Sequence, residues 1–405
     1  MRSFANLFLL LFLADGSLSL LDEAASLLFP VVPFSGFRTL VANAVLLLAM
    51  PLYLSLGIDR RLPKALLLPL ILFVFWCPLS TWIIPSLSGF RGYGLAMAAV
   101  QIALGTFLLH RFNKNREAPL TLPREMFDAP FFSLRNTLGF SAVNLFVLPV
   151  ALATLALFLA DSYVTALTSG FMRVEKDGLY MIERSYRRDD RTIRLASMVH
   201  VGEKQYYDQV ARVVVSGKTV VLAEGVTDEK ELLRNKFDYG KVAGFLGLTS
   251  QEKMLFAGRV IDPRELEAPR DKWKTGKAGT PDILRADVDL SAFRPETMLF
   301  LDAIGRHLRE NSTVLEATVE LNEWAEQNIT PQMYEIIMDD ILHRRNKVLL
   351  GHMDKALQRY DTVVVPWGAL HMKEIEAEVL KRGFVLQEER KRMSVDFGRM
   401  LAGRR

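Results

Sequence analysis

Hydrophobic and polar positions divide the chain into two parts near residue 160. Before that point, four long runs contain no Asp, Glu, Lys or Arg, whereas the later residues carry charges throughout. The uncharged runs are Thr39–Ile58, Ala65–Phe90, Gly92–Leu109 and Asn136–Ala160, with 20, 26, 18 and 25 residues. Because about 20 helical residues cross a hydrocarbon core of ~30 Å, each run is long enough to span a membrane.

The first 38 residues follow a less regular pattern. Ser3–Ala14 is uncharged but short, and Asp15 interrupts its continuation to Leu21. This segment is a signal peptide, a signal anchor or a spanning helix, and a retained anchor is the preferred interpretation. Residues 24–37 contain two prolines and favour an interfacial position. We therefore predict a multi-pass transmembrane domain over residues 1–165, with four or five helices at about 3–21, 39–58, 65–87, 92–110 and 136–160.

Basic residues are unevenly distributed between the short loops of this domain. Loops 59–64 and 110–135 hold eight of them, and the alternating segments hold only Arg38 and Arg91. The eight are Arg60, Arg61, Lys64, Arg111, Lys114, Arg116, Arg124 and Arg135. Because loops rich in Lys and Arg stay in the cytoplasm, the residues after the last spanning helix are predicted to lie outside it.

The second part, residues 166–405, has the pattern of an α/β domain. Phe171–Glu175 and Leu179–Glu183 flank an Asp-Gly turn and predict a hairpin. Strands are predicted at 193–199, 219–223 and 362–366; the last two are short apolar runs typical of a buried parallel sheet. Residues 333–360 favour one long helix. We predict a mostly parallel central sheet flanked by helices, following an all-α transmembrane bundle.

Composition excludes several classes of protein. A single Cys in 405 residues excludes a disulfide framework and a thiolate metal cluster. The net charge of +4 is too small to indicate a nucleic-acid partner. The lipid bilayer is the partner that the sequence does indicate.

Three residues that follow predicted strands are candidates for a metal site. His200 and His371 each come at the end of a strand that a helix follows, and Glu224 comes directly after the strand 219–223. In parallel sheets ligands collect at the carboxyl ends of the strands, so these side chains are expected to converge. Two imidazoles and a carboxylate match an open catalytic site for a divalent metal such as Zn²⁺, Mn²⁺ or Co²⁺. The alternative is that each histidine is a hydrogen-bonded structural residue.

Six segments in this order resemble the TraB/GumN/Tiki family over residues 170–400. They are SMVHVGEKQYYDQV (197–210), VVLAEGVTD (220–228), LGLTSQ (246–251), ADVDLS (286–291), HRRNKVL (343–349) and WGALHMKEIEAEVLKRGFVL (367–386). The most specific is GALH followed by a helix, with an Arg-Asn pair some 25 residues upstream. The likeness covers nearly all of the polar part and none of the membrane part.

The resemblance implies an α/β domain with two GxxH motifs and an acidic residue, related to Tiki-type metal-dependent proteases and to pheromone-shutdown proteins. Carried over, the motif histidines are His200 and His371, the acid is Glu224, and the Arg-Asn pair is Arg345-Asn346. One departure is that Ser197 stands where the family has Gly. Serine can occupy a similar turn, but it adopts a positive φ less readily.

Other polar residues are candidates for the surroundings of the site. Asp287 could ligate a metal or hold Arg345 through a charge-assisted bond, and Asp289 could share that role or cap a helix. Arg345 and Asn346 point about 100° apart on a helix, so only one is expected to reach the site directly. Asn346, Asp287 and Tyr206 are the candidates for contact with a substrate.

The leading hypothesis is an extracytoplasmic metal-dependent hydrolase on a membrane anchor, with a peptide or protein as substrate. Glu224 would be a metal ligand or the general base, and Arg345 would stabilise an oxyanion or bind a substrate carboxylate. The alternative is a non-enzymatic module that sequesters a peptide signal or an anionic ligand. A third class, a transporter or sensor working through its membrane helices, is disfavoured because those helices contain almost no ionisable residue.

Overall fold

A computed structural model of the protein describes two compact units, Met1–Phe158 and Leu159–Arg405. Its description covers the chain except residues 30–31, 91, 114–119, 213–217, 236–239, 241–242, 244–247, 252–253, 255, 268–278 and 403–405. Three basic residues used to predict orientation, Arg91, Lys114 and Arg116, lie outside the described residues. So do two positions of the LGLTSQ motif.

Five helices in the described chain are long and apolar enough to cross a membrane. They are α1 (Arg2–Leu28), α2 (Ser35–Ile58), α3 (Lys64–Ile83), α4 (Tyr93–Asn113) and α5 (Leu134–Thr168). Proline occurs inside α2, α3 and α5. Membrane helices tolerate such prolines because neighbouring groups satisfy the backbone that they release. The expectation of a membrane-spanning region is therefore confirmed at the level of length and composition.

Helix α1 continues seven residues beyond the predicted end at 21, to Leu28, so residues 24–28 belong to this helix and not to a separate segment. The Asp15 carboxylate accepts a hydrogen bond of 2.9 Å from the Gln101 side chain on α4. Asp22, also in α1, accepts one of 2.8 Å from the backbone N–H of Phe34. Hydrogen-bonded partners allow both acids to remain in an apolar helix. The argument that the spanning helices lack ionisable residues thus fails for α1.

Helices α3 and α5 each end four or more residues from the predicted position. Helix α3 ends at Ile83 and not at 87, and a 3₁₀ turn over Pro85–Gly89 follows it. Helix α5 continues eight residues beyond 160, to Thr168. Within that extension, the Asp161 carboxylate accepts a 2.8 Å hydrogen bond from the backbone N–H of Val174 in the first strand.

In the part of the second unit that the structure describes, eight strands form one mixed sheet. Its strands are β1 (Met172–Val174), β2 (Gly178–Arg188), β3 (Arg191–Met198), β4 (Thr219–Ala223), β5 (Arg259–Ile261), β6 (Asp282–Arg285), β7 (Thr362–Gly368) and β8 (Val385–Asp396). The order is β1-β2-β3-β7-β4-β6-β5, and β8 pairs with β2. A separate two-residue pair joins Val201–Gly202 to Thr249–Ser250.

Pairing directions agree with the apolar patterns of the strands. Strands β3, β7, β4, β6 and β5 are all parallel neighbours, whereas β1, β2 and β8 pair antiparallel. Strands β4 and β7 are buried over almost their whole length, as uninterrupted runs of Val and Leu require in a sheet that is covered on both faces. The predicted hairpin and the mostly parallel sheet flanked by helices are confirmed.

Helices surround this sheet and complete its core. They are α6 (Lys204–Ala211), α7 (Pro295–Glu310), α8 (Val314–Asn328), α9 (Pro331–Met338), α10 (Arg345–Leu357), α11 (Ala369–Lys381) and α12 (Phe397–Ala402). Fully buried residues of α10 and α11, among them Leu349, Met353 and Ile375, pack with Val220 and Val363 of the sheet. This packing holds the first turns of both helices near the ends of β4 and β7.

The predicted helix over 333–360 is present but is not uniformly α-helical. Residues Asp339–Arg344 form a π-helical segment between α9 and α10. Its Asp340 side chain is fully buried and accepts hydrogen bonds from Arg294 and Thr297, at 2.8 and 2.7 Å. π-Helical turns often occur at functional sites, and here the turn immediately precedes Arg345.

Candidate functional site

Three neighbouring strands end together on one side of the sheet and place polar residues there. Strand β4 leads directly into Glu224, and β6 ends two residues before Asp287. Strand β7 lies beside β4 and leads into α11, whose first turn carries His371. Since parallel strands end at the same edge, a short chain segment after each is enough to bring these three side chains together.

Arg345 lies at the centre of this group. Its Nε and Nη2 donate to the two carboxylate oxygens of Asp287 at 2.9 and 2.7 Å, and Nη2 also donates to Glu224 Oε1 at 2.8 Å. All three side chains are at least nine-tenths buried. Burial is the largest single effect on the pKa of Arg345 and lowers it. The hydrogen bonds to Asp287 and Glu224 and the charges of these carboxylates together outweigh burial, so the pKa is raised. The guanidinium is therefore a permanent positive charge.

His371 is held between residues of α10 and the end of β7. Its Nδ1 lies 2.7 Å from Asn346 Oδ1, and its Nε2 lies 3.2 Å from Arg345 Nη1. The edge of the Trp367 ring meets the imidazole at a centroid distance of 5.0 Å and an angle of 87°. Burial lowers the pKa of His371 to about 4; Glu224 opposes this effect, while Arg345 and His200 add to it. The imidazole is therefore neutral at neutral pH.

Both Arg345 and Asn346 contact the His371 ring, so the prediction that only one of them reaches the site directly is wrong. The two side chains do diverge, but they contact opposite nitrogens of one ring that lies between them.

Glu224 uses its two oxygens differently. Oε2 accepts a 2.8 Å hydrogen bond from the backbone N–H of Gly368, where α11 begins. Oε1 accepts from Arg345 and lies 3.7 Å from His371 Nε2. One oxygen is thus bound at a helix N-terminus, and the other faces the candidate site.

His200 lies just after β3 and is half-buried. Its backbone carbonyl accepts a 2.9 Å hydrogen bond from Gln251 N–H. The residue is close enough to His371 to influence its pKa electrostatically. Strands β3 and β7 are parallel neighbours, so the placement of His200 near His371 follows from the sheet.

The remaining candidate residues have mainly structural contacts. Tyr206 is buried and donates a 2.9 Å hydrogen bond to the Ser197 carbonyl, and its ring lines a small cavity with Glu203 and Arg399. Asp289 caps the 3₁₀ turn at 290–292 by accepting from Ser291 N–H. Hydrogen bonds that the Asp289 carboxylate accepts lower its pKa, and the bond from Ser291 has the largest effect. Neither side chain contacts Glu224 or His371 through a described hydrogen bond.

Ser197 does not occupy a turn. It lies within β3, pairs with Trp367 of β7 and is not among the residues with a positive φ. Its hydroxyl oxygen lies 2.7 and 2.8 Å from the carbonyl oxygens of Phe171 and Ile182, to either of which it can donate, and accepts from Ile182 N–H at 3.0 Å. The glycine-like conformation expected at this position is therefore not required, and the serine side chain instead links neighbouring backbone segments.

An imidazole nitrogen and a carboxylate oxygen of this site are atom types that bind divalent cations. Atoms bound to one ion at about 2.0–2.2 Å lie within about 4.4 Å of each other, and His371 Nε2 and Glu224 Oε1 meet that limit at 3.7 Å. Among the described residues, no group of three or more His, Cys, Asp or Glu side chains is arranged to hold an ion. The pair is thus a partial ligand set, and Arg345 Nη1 faces the same imidazole nitrogen.

Sequence reasoning did not identify three contributors to the site. Trp367 packs against His371, the Gly368 N–H binds Glu224, and Glu374 accepts a 2.7 Å hydrogen bond from Asn346 Nδ2. The one signal available was spacing: Glu374 follows His371 by one helical turn and so lies on the same face of α11.

Comparisons with known proteins found no relative of this chain. Searches against protein-family models, curated proteins and solved structures each give no match for this chain.

Proposed function

We propose that the second unit is a metal-dependent hydrolase, acting on peptides, of the TraB/GumN/Tiki type that its motifs resemble. The observation that carries this proposal is the pair formed by His371 and Glu224. A buried, neutral imidazole has its Nε2 3.7 Å from a carboxylate oxygen. Neutral imidazole and carboxylate are the forms in which both side chains bind Zn²⁺, Mn²⁺ or Co²⁺.

The charges of the site favour a cation over the anionic ligand of the alternative hypothesis. Glu224 and Asp287 supply two negative charges, Arg345 supplies one positive charge, and neutral His371 supplies none. Two hydrogen-bonded carboxylates already neutralise the guanidinium. A bound anion would meet a net negative site, whereas a divalent cation would be attracted to it.

Residues around the pair have distinct parts in this proposal. His371 and Glu224 Oε1 would hold the ion, with His200 as the candidate third ligand, and Asn346 would orient the imidazole, as outer partners of metal-binding histidines generally do. The ion, when bound, lowers the pKa of a water molecule and polarises the scissile carbonyl. Arg345 remains anchored by Asp287, and its Nη1–H can donate to a substrate oxygen that becomes negative.

Metal content tests this proposal. Full-length protein purified in detergent without chelators is expected to contain about one ion per chain, and His371→Ala is expected to lose it, because a buried imidazole ligand is removed. His307→Ala is the matched control, since His307 lies on α7 and contacts Glu320. Elemental analysis gives the result.

Peptide cleavage should disappear in the same variant and persist in the control. Absence of metal from wild-type protein, even after incubation with Zn²⁺, Mn²⁺ and Co²⁺, would contradict the proposal. Peptide binding without cleavage by the metal-loaded protein would support the sequestering module instead.

We further propose that this unit lies outside the cytoplasm. Eight basic residues in the loops after α2 and α4, against two in the alternating segments, orient the helices in this way. A reporter enzyme that is active only in the cytoplasm, fused after Arg405, is therefore expected to be silent. The same reporter inserted after Arg61 in a truncated chain is the positive control, and activity of the fusion after Arg405 would reverse the orientation.

A further inference from the structure

A chain of hydrogen bonds connects buried His371 to the surface through two facing helical segments. His371 Nδ1 lies 2.7 Å from Asn346 Oδ1, and Asn346 Nδ2 donates to Glu374 Oε2 at 2.7 Å. The same Glu374 oxygen lies 2.8 Å from His343 Nδ1. His343 and Asn346 are three residues apart, as are His371 and Glu374, so the two pairs interlock. His371 and Asn346 are buried, whereas the side chains of Glu374 and His343 are 40% and 60% exposed.

The direction of these hydrogen bonds follows from the chemistry of Glu374. A carboxylate only accepts, so the group that Asn346 turns toward it must be the NH₂ donor. The amide oxygen of Asn346 then faces His371, and an oxygen can only accept. His371 Nδ1 must therefore carry the proton, which leaves the lone pair on Nε2. A surface carboxylate thus determines which nitrogen of a buried imidazole is able to bind an ion.

Arg345 favours the same tautomer, but from the position that an ion would take. Its Nη1–H points at the Nε2 lone pair from 3.2 Å, a longer contact than the 2.7 Å on the opposite side of the ring. An ion bound to Nε2 would replace that contact. An ion on Nε2 would itself exclude a proton from that nitrogen, and the Asn346–Glu374 side would then hold the Nδ1–H and the orientation of the ring.

We propose that Glu374 is a positioning residue that selects the Nδ1–H tautomer of His371 by orienting the Asn346 amide. Its importance for catalysis rests on the proposed metal-dependent function, whereas the selection of the tautomer does not. In the described hydrogen bonds Glu374 contacts Asn346 and His343 but neither His371 nor Glu224, so its effect on His371 passes through Asn346.

Substitutions at Glu374 distinguish this role from simple packing, because each one changes whether residue 374 can accept or donate a hydrogen bond. Glu374→Gln keeps an acceptor oxygen and is expected to retain the wild-type tautomer. Glu374→Ala removes the acceptor and is expected to give a mixture of tautomers. Glu374→Lys offers only donors, so the Asn346 amide should rotate and the share of the Nε2–H form should exceed that in Glu374→Ala, although the contact from Arg345 Nη1 opposes this form. Partial exposure of this side chain allows all three substitutions.

Nitrogen NMR reads the tautomer directly, since protonated and unprotonated ring nitrogens have distinct resonances. The full-length protein, labelled with ¹⁵N-histidine and treated with chelator in detergent, contains six histidines. The signal lost in His371→Gln identifies the residue. Glu378→Lys, one turn along the same helix, is the matched control and should leave the His371 spectrum unchanged. An unaltered Nδ1–H spectrum in both Glu374→Ala and Glu374→Lys would overturn the proposal.

Metal affinity provides a second readout that a packing role would not reproduce. Glu374→Lys is expected to weaken metal binding about 10- to 100-fold, the usual effect of losing an outer partner, whereas Glu374→Gln should restore it. If wild-type protein binds no metal, the proposed function fails, and the NMR series still decides the role of Glu374.

Discussion

Replacing Arg345 with methionine is expected to lower the free energy of unfolding of the second unit by about 3–5 kcal/mol. The substitution leaves the Glu224 and Asp287 carboxylates, at 5% and 0% exposure, without the cation that both contact. Removing one partner of a buried charge network costs more than the network contributes as a whole, because the remaining charges stay desolvated. Denaturant unfolding of the full-length protein in detergent, followed by tryptophan fluorescence, measures the change.

Two variants make this expectation specific. Lys347→Met alters an exposed cation on the same helix and should change the free energy by less than about 0.5 kcal/mol. Adding Asp287→Asn to Arg345→Met removes one of the unpaired charges and should recover part of the loss. If Arg345→Met is no less stable than Lys347→Met, the guanidinium does not hold the site together.

Acidification is expected to destabilise the second unit between about pH 6.5 and pH 4 through His371. The folded-state pKa of about 4 lies below the ordinary value of 6.5, because burial disfavours the charged ring. In that interval the unfolded chain binds a proton that the folded protein excludes, so stability falls as the pH falls. The His371 contribution, fully present above pH 6.5, should decrease by up to about 3 kcal/mol, at about 1.4 kcal/mol per pH unit.

The contribution of His371 is obtained as the difference between two pH profiles. His371→Gln cannot titrate, and groups elsewhere affect both proteins equally, so the wild-type profile should be the steeper one between pH 6.5 and 4. Both proteins are measured in chelator, which removes any bound ion. Parallel profiles would show that the imidazole is not held in its neutral form.

Short apolar runs made the centre of the sheet predictable. TVVLA at 219–223 and the Val-rich run at 362–366 are too apolar for a sheet with one wet face, and they form the adjacent parallel strands β4 and β7. Because residues after parallel strands meet at one edge, the proximity of Glu224 to His371 could also be predicted. Their separation of 3.7 Å results from the pairing of the strands in the sheet, and neither the spacing of the motifs along the chain nor the composition determines it.

Features that depend on side-chain partners were not predictable in the same way. Asp15 left the nature of the first hydrophobic segment open because a charge in an apolar run is costly, and the compensating Gln101 lies 86 residues away in sequence. Asp287 had several possible roles until its partner was known; it binds Arg345 with both oxygens. Likewise, the joint contact of Arg345 and Asn346 with one ring depends on where the imidazole lies, which helical periodicity does not give.

The π-helical segment at 339–344 places a constraint on chain length. Each residue of an α-helix advances by about 100°, and π-helical turns contain one residue more than an α-helical path would need. Deleting one residue there would rotate α10 relative to α9 by about a quarter of a turn, and Arg345 would leave the site while Leu349 and Met353, on the same face of α10, would leave the core. Homologous sequences with the same site should therefore vary in the identity of these six residues more freely than in their number.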